Sequence, residues 1–362
     1  MVEMPLPFTR PPDAVCVLRL SAIGDTCHAV PIVRALQAAW PATAVTWIIG
    51  KTEHSLLRGL EGVDFVVLDK RRGWAGYADL RRSLTGRRFD ALLDMHASMR
   101  ANIASVLVKA PLKIGFDRIR ARDYQWLFCN RRIAAHARQH VMDGLFEFAA
   151  LLGVPRGNLR WDIPLASEDR ALAATLVETG KPSLVISPVT GQRFRNYRNW
   201  QVERYARVAD YARDRYGASV LLTGGNTDLE RACGRGIVEH CATPPTNLIG
   251  RTTLKQLLAI LERATVLLCP DSGPAHMATA VGTPVVGLYA TSNRFRTGPY
   301  LSQHLVVDKY PEAVARKFDK AVADIRWGER VRDARAMDLI RVEDVIAKLD
   351  AAFAERGIVP LA

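Results

Sequence analysis

The chain has 362 residues, 49% of them hydrophobic and 24% charged. That is enough for two domains with cores of their own, and too apolar for a disordered chain. The formal net charge is +13, biased toward the first half, which suits an anionic partner such as nucleic acid, an anionic membrane surface or a phosphorylated substrate, or else solubility alone. No uncharged apolar run is long enough to span a bilayer, and the opening MVEMPLPFTRPPDAV lacks a signal-type apolar stretch. Six cysteines are scattered without a CxxC pair, so a cytoplasmic chain with reduced thiols and no metal site is expected.

Taken in order, Ala14–Leu20 reads as a buried strand from its β-branched apolar run, Ser21 to Asp25 as a turn, and Thr26 to Trp40 as a helix. Ala44–Ile49 completes a βαβ unit. The turn lacks GxGxxG, which disfavours a dinucleotide site. Asp25 in the first helical turn is either a capping carboxylate, worth about 1 kcal/mol, or a base at the carboxyl end of a strand, where ligands of open α/β sheets bind. Phe65–Leu68 and Ala91–Leu93 are further strands. Between them, Lys70-Arg71-Arg72-Gly73-Trp74, Arg81-Arg82 and Arg87-Arg88 form a phosphate-binding or membrane-facing surface, or a solvated helix face. Asp94 to Ser98 follows a strand and can line the same cleft. Leu112–Gly115 precedes a second basic block that includes Arg118, Arg120, Arg122, Arg131, Arg132, Arg138 and His140, a candidate grip for an anionic acceptor. A helix resumes at Val141.

The Pro/Gly-rich stretch from Gly153 opens a domain link between about 155 and 182, with a helix over Ser167–Thr179. The pattern then repeats. Strands fall at Ser183–Ser187, Ala218–Thr223 and Asn247–Gly250, with helices at Trp200–Tyr216, Leu229–Glu239 and from Thr252, which predicts a second doubly wound parallel sheet. A final helix over Val342–Arg356 is expected to lie back across the first domain. The densest punctuation is Cys269–Tyr289, CPDSGPAHMATAVGTPVVGLY, read as strand, turn, small helix and strand. A helix opening at Ser272–Gly273 presents unpaired backbone N–H groups, a ready anion site, with His276 as an added donor. The basic loop before it carries Thr190, Gln192, Arg193, Arg195 and Arg198. Together these would hold a diphosphate, with Asp228 or Glu230 taking ribose hydroxyls. The plain alternative is a capped helix, a half-buried histidine and solvated arginines.

AIGD in the first βα turn, RNYRNW, TGG with Glu230 after four intervening residues, and PDSGPAHMATAVGTPVVGLY together resemble glycosyltransferase family 9, whose best-known members are ADP-heptose:lipopolysaccharide heptosyltransferases, and heptosyltransferase I in particular. LFCNRR with the QH after it, and MDLIRVEDVIAKL, extend the likeness over nearly the whole chain. The resemblance implies a GT-B fold of two Rossmann-like parallel-sheet domains facing across a cleft, closed during the reaction. Residues 1–165 would bind the acceptor, 166–335 the nucleotide sugar, and 336–362 would form the terminal helix. It implies inverting transfer of heptose from ADP-heptose to the Kdo region of a Kdo-lipid A type acceptor, on the cytoplasmic face of the inner membrane, with no cofactor, no metal and no nucleic acid. It assigns Asp25 as base, and Arg198, where heptosyltransferase I has a lysine, to the donor phosphates. Thr190, Gln192, Asp228, Glu230, Asp271, Ser272, Gly273 and His276 fall on the donor side; Arg71, Arg72, Arg122 and His140 fall on the acceptor side. The rival readings are a family 9 transferase with another donor or acceptor, a GT-B nucleotide-sugar epimerase, and a binding protein with a dead site.

Overall fold

The computed structural model describes residues 7–191 and 196–361. The chain forms two units, Met1–Pro164 and Leu165–Ala362, a division inside the expected link. In the first unit β1 (Ala14–Leu18), β2 (Ala44–Gly50), β3 (Val63–Leu68), β4 (Ala91–Asp94), β5 (Leu112–Gly115) and β6 (Arg131–Arg132) make one sheet in the order β3-β2-β1-β4-β5-β6. In the second, β7 (Ser183–Ile186), β8 (Ser219–Leu222), β9 (Thr246–Asn247), β10 (Val266–Pro270), β11 (Val285–Tyr289) and β12 (Val307–Asp308) follow the order β12-β11-β10-β7-β8-β9. Every pairing is parallel. The two sheets therefore repeat one topology, as the doubled βα pattern predicts.

Central strands of such sheets are covered on both faces, which is why they read as unbroken apolar runs. Val15 to Leu18 of β1 and Val266 to Cys269 of β10 are wholly buried. In each sheet the winding direction reverses beside the first strand, between β1 and β4 and between β7 and β10. Chain leaving those strands splays apart at their carboxyl ends and leaves a crevice. Both stretches singled out in the sequence, around Asp25 and around Ser272, leave strands at these reversal points.

The edge strands β6 and β12, two residues each, carry no periodic signal in the sequence. The terminal helix, Val342–Glu355, expected to lie back across the first domain, is packed into the second unit's own core. Val345, Leu349 and Phe353 recur at every fourth position and are fully buried among residues of β11 and the helix Val202–Tyr216. Burying side chains of this size stabilises by about 1.5–3 kcal/mol each. Asp350 on the same helix accepts hydrogen bonds from the hydroxyls of Tyr211 (3.0 Å) and Tyr216 (2.7 Å).

Candidate functional site

At the reversal point of the first unit, the helix Ile23–Ala39 starts three residues earlier than its periodicity suggests, which places Asp25 at its third position. Its Oδ2 reaches back to accept from the Ala22 N–H (3.2 Å), one of the donors a helix start leaves unpaired. The same oxygen receives Arg19 Nη2 at 2.6 Å. Arg19 is itself fixed: Nη1 donates to the Met95 carbonyl at the end of β4, and its own carbonyl accepts from Trp47 Nε1 at 3.2 Å. The Asp25 side chain keeps 37% of its surface exposed. A carboxylate held by Arg19 at the end of β1, with a third of its surface in solvent, is placed to take a proton from an incoming hydroxyl.

Two further ionisable groups end β4. Burial holds the Asp94 carboxyl up near 7, against an ordinary value of 3.8. Burial first, and then Arg19, lower His96 to about 4. His96 Nδ1 accepts the Leu20 N–H at 3.0 Å, so at neutral pH the ring is uncharged with its proton on Nε2. The linked pH effects oppose each other. Asp94 binds its proton more tightly when folded, so its contribution falls as pH rises from about 4 to 7. His96 binds its proton less tightly when folded, so its contribution rises with pH between about 4 and 6.5. Each is on the order of 3–4 kcal/mol at full extent, and the two largely cancel. Asp94→Asn should therefore unmask a stability that climbs from pH 4 to 6.5, and His96→Asn one that falls from pH 4 to 7. Denaturant midpoints across that range check both slopes; two flat profiles would contradict the pairing.

At the reversal point of the second unit, β10 ends at Pro270 and the helix Gly273–Ala280 opens at Ser272, whose extended backbone (φ −151°, ψ 168°) is that of an N-cap. The Ser272 hydroxyl makes no capping bond, and Pro274 in the first turn has no N–H to satisfy. Arg198 comes to this turn, as the sequence suggests: Nη1 donates to the Asp271 carbonyl at 2.7 Å and lies 3.4 Å from Asp271 Oδ2. Ser292, just beyond β11, donates its hydroxyl to that Oδ2 at 2.8 Å. Asp271 is 5% exposed. A buried carboxylate would repel a phosphate, so its part is to seat Arg198 and lock the turn. The guanidinium, the helix N-terminus and the mostly buried His276 supply the anion-binding character.

The remaining donor-side positions separate clearly. Thr190 is buried, its hydroxyl donating to Asn199 Oδ1 (3.3 Å) and accepting from Asn196 Nδ2, so it braces its own loop. Gln192, with Arg193 and Arg195, lies outside the described residues. Glu230 is buried in a capping box: its carboxylate accepts from the N–H groups of Gly225 (2.7 Å) and Thr227 (3.1 Å) and from the Thr227 hydroxyl (2.6 Å). A Cβ on Gly225 would stand 2.9 Å from Glu230 Oε2, so the tight glycine turn after β8 and this carboxylate require each other. Asp228 is the opposite case, its side chain 95% exposed beside Arg231 Nη2 at 2.5 Å. Glu230→Ala should cost about 1–2 kcal/mol of stability, and Asp228→Ala no more than about 0.5 kcal/mol; urea unfolding of both variants checks the ordering.

On the acceptor side, Arg71 and Arg72 stand exposed in a short turn after β3, the latter paired with Asp79, and Arg122 is exposed in the connection after β5. His140 departs from the expected basic surface. It is buried as the N-cap of Val141–Leu151, Nδ1 accepting from the Met142 N–H at 3.1 Å, with its ring edge-on to His28 at 5.3 Å. Burial pushes the thiols of Cys27, Cys129 and Cys269 up to about 12, which leaves them poor nucleophiles. Arg19 and Ser292 went unread. Arg19 ends an apolar strand like any snorkelling arginine, whereas the Thr-Ser-Asn run after β11 is a polar strand end that could have marked Ser292.

Two parallel-sheet units of one topology, with a tethered carboxylate at the reversal point of one and an arginine seated at a helix N-terminus in the other, have the GT-B architecture. The fold likeness agrees. A family 9 glycosyltransferase from Veillonella parvula superposes with a TM-score of 0.77 at 23% identity, over 95% of this chain and 97% of that one. E. coli heptosyltransferase WaaC, solved with ADP, gives 0.71 at 17% identity over 94% and 99%. The sequence profile of glycosyltransferase family 9 (heptosyltransferase) matches residues 77–323. The lipopolysaccharide core heptosyltransferase OpsX of Haemophilus influenzae is 39% identical over 346 residues, 96% of this chain and 98% of its own length. E. coli lipopolysaccharide heptosyltransferase 1 is 21% identical over 81% and 92%. The chain belongs to glycosyltransferase family 9, the heptosyltransferases.

Proposed function

We propose that this protein transfers a heptose from ADP-heptose to the Kdo region of the lipopolysaccharide inner core, with inversion at the anomeric carbon, adding the first heptose at the cytoplasmic face of the inner membrane. The observation that carries this reading is the pairing of two built sites in one family 9 chain: Asp25 tethered by Arg19, and Arg198 seated by Asp271 on the turn that opens Gly273–Ala280. The full-length likeness to OpsX, named for the lipopolysaccharide core, and the fold likeness to WaaC, solved with ADP, support the choice of substrates.

The chemistry follows from what each group supplies. An acceptor hydroxyl gives its proton to the Asp25 carboxylate as its oxygen attacks the anomeric carbon. The bond to the donor phosphate oxygen breaks on the opposite face, and ADP leaves with both electrons of that bond. Positive charge grows on the sugar ring while negative charge grows on the diphosphate. Arg198, the helix N-terminus and His276 meet that negative charge with donors already in place, so little reorganisation is needed at the moment of reaction. Glu230 acts one step removed, shaping the glycine turn after β8 at the same edge of the sheet.

Thermal shift and transfer with a panel of ADP, GDP and UDP sugars test the donor. ADP-heptose should stabilise the protein and be consumed; a preference for a GDP or UDP sugar would overturn the donor assignment.

A further inference from the structure

We propose that the connections following β3, β4 and β5 form a surface that docks the first unit onto an anionic phospholipid bilayer. Large apolar side chains stand out in solvent there: Trp74 is 76% exposed, Ile119 67%, Tyr124 60% and Leu127 73%. Full solvation of such groups is unfavourable, and soluble surfaces seldom gather them.

The groups are linked by contacts. The Trp74 ring packs on Tyr77 at 5.6 Å, and the Tyr77 hydroxyl donates to the Arg100 carbonyl at 3.2 Å. The adjoining Met99 N–H donates to Asp123 Oδ2 at 2.9 Å, and Asp123 leads directly into Tyr124, whose ring meets Trp126 at 5.4 Å. The connection is built, not loose. Asp117 Oδ1 accepts the Ile119 N–H at 2.9 Å and its other oxygen pairs with Arg120. Gln125 is fully buried, its amide donating to the Asp94 carbonyl at 2.9 Å and accepting the Phe116 N–H at 3.2 Å. Asp123 and Tyr124 both take the left-handed backbone (φ 51° and 60°), uncommon for residues other than glycine. Buried Gln125 thus anchors a turn that holds Tyr124 and Leu127 outward.

Charge selects the occupant. Arg71, Arg100, Arg118 and Arg122 are exposed on the same connections, while Asp79 is taken up by Arg72 and Arg82 and Asp123 accepts the Met99 N–H. Exposed Trp, Tyr, Leu and Ile among arginines match the headgroup boundary of an anionic bilayer, where apolar tips enter the acyl region and guanidinium groups meet phosphates. Because the sheet is parallel, these three connections lie at the edge that also carries Asp25. A lipid-linked acceptor rising from the docked bilayer would reach the base from that edge. The inference deepens the lipopolysaccharide reading, but vesicle binding is measured without donor or acceptor, so the two fail separately.

The test is co-sedimentation of the full chain with vesicles of equal parts phosphatidylglycerol and phosphatidylethanolamine, against phosphatidylcholine alone. Wild type should pellet with the anionic vesicles only, and raising salt from about 0.05 to about 0.5 M should weaken it. Ile119→Ser with Tyr124→Asn and Leu127→Ser should weaken it at least about tenfold. Asparagine suits the left-handed position, and an unchanged thermal midpoint with unchanged transfer onto a water-soluble Kdo acceptor shows the fold is kept. Trp74→Ser, far from that turn in sequence, should weaken binding independently. The proposal is overturned if wild type ignores anionic vesicles, if it binds phosphatidylcholine equally, if both variants bind like wild type, or if the apolar residues instead hold two copies together in solution.

Discussion

Replacing Asp25 by asparagine should lower kcat for heptosyl transfer by about 10²- to 10⁴-fold, the usual contribution of a general base, while leaving the donor KM near its wild-type value. The substitution is close to isosteric. Asparagine still offers a carbonyl oxygen to the Ala22 N–H, so the helix start survives, but the charge that pairs with Arg19 is gone. A cap lost outright costs about 1 kcal/mol, too little to unfold a chain with two separate cores. Loss of kcat with an unchanged thermal midpoint therefore separates the chemical role from the capping role, both of which the sequence allows for this residue. Wild-type kcat in this variant would reduce Asp25 to a helix-start carboxylate.

Arg198→Ala has the second large expected effect, on the donor side. Removing one well-placed donor from a developing oxyanion costs about 3–4 kcal/mol, so kcat should fall roughly 10²- to 10³-fold and the donor KM should rise. The variant also strips Asp271 of its guanidinium partner, leaving a buried carboxylate held by Ser292. Arg198→Lys distinguishes the two consequences: it keeps a positive charge beside Asp271 and should recover part of kcat, without the forked geometry that lets one arginine bond the Asp271 carbonyl and face a phosphate together. Steady-state kinetics with varied donor check both. Donor kinetics unchanged in Arg198→Ala would remove this residue from the phosphate role.

Much of this architecture is visible in the sequence because parallel strands buried on both faces have to be continuously apolar. AVCVL, SLVI and VVGLY announce β1, β7 and β11, and the turns after them carry the polar residues. The helix opening at Ser272 is legible for a related reason: Asp-Ser-Gly-Pro after a buried strand can do little other than open a helix. What stayed hidden depends on three-dimensional commitment. Glu230 and Asp228 are two residues apart and alike in chemistry, yet one is locked in a capping box and the other lies in solvent. Thr190 reads as an available hydroxyl, but Asn196 and Asn199 use it. His140 sits in a basic run and is nevertheless a buried cap with its ring edge-on to His28. The apolar stripe of the terminal helix does not say which core it joins; in the structure it packs in the second unit, where Asp350 meets Tyr211 and Tyr216.

Inverting heptosyl transfer with Asp25 as base is the central proposal. Its most direct test is to incubate the purified protein with ADP-heptose and Kdo2-lipid A and determine the product by mass and by the anomeric configuration of the new linkage. The expected result is a mass gain of one heptose, stoichiometric release of ADP, a linkage inverted relative to the donor, and loss of all three in Asp25→Asn. Transfer with retained configuration, or inverted transfer undiminished in Asp25→Asn, would contradict it.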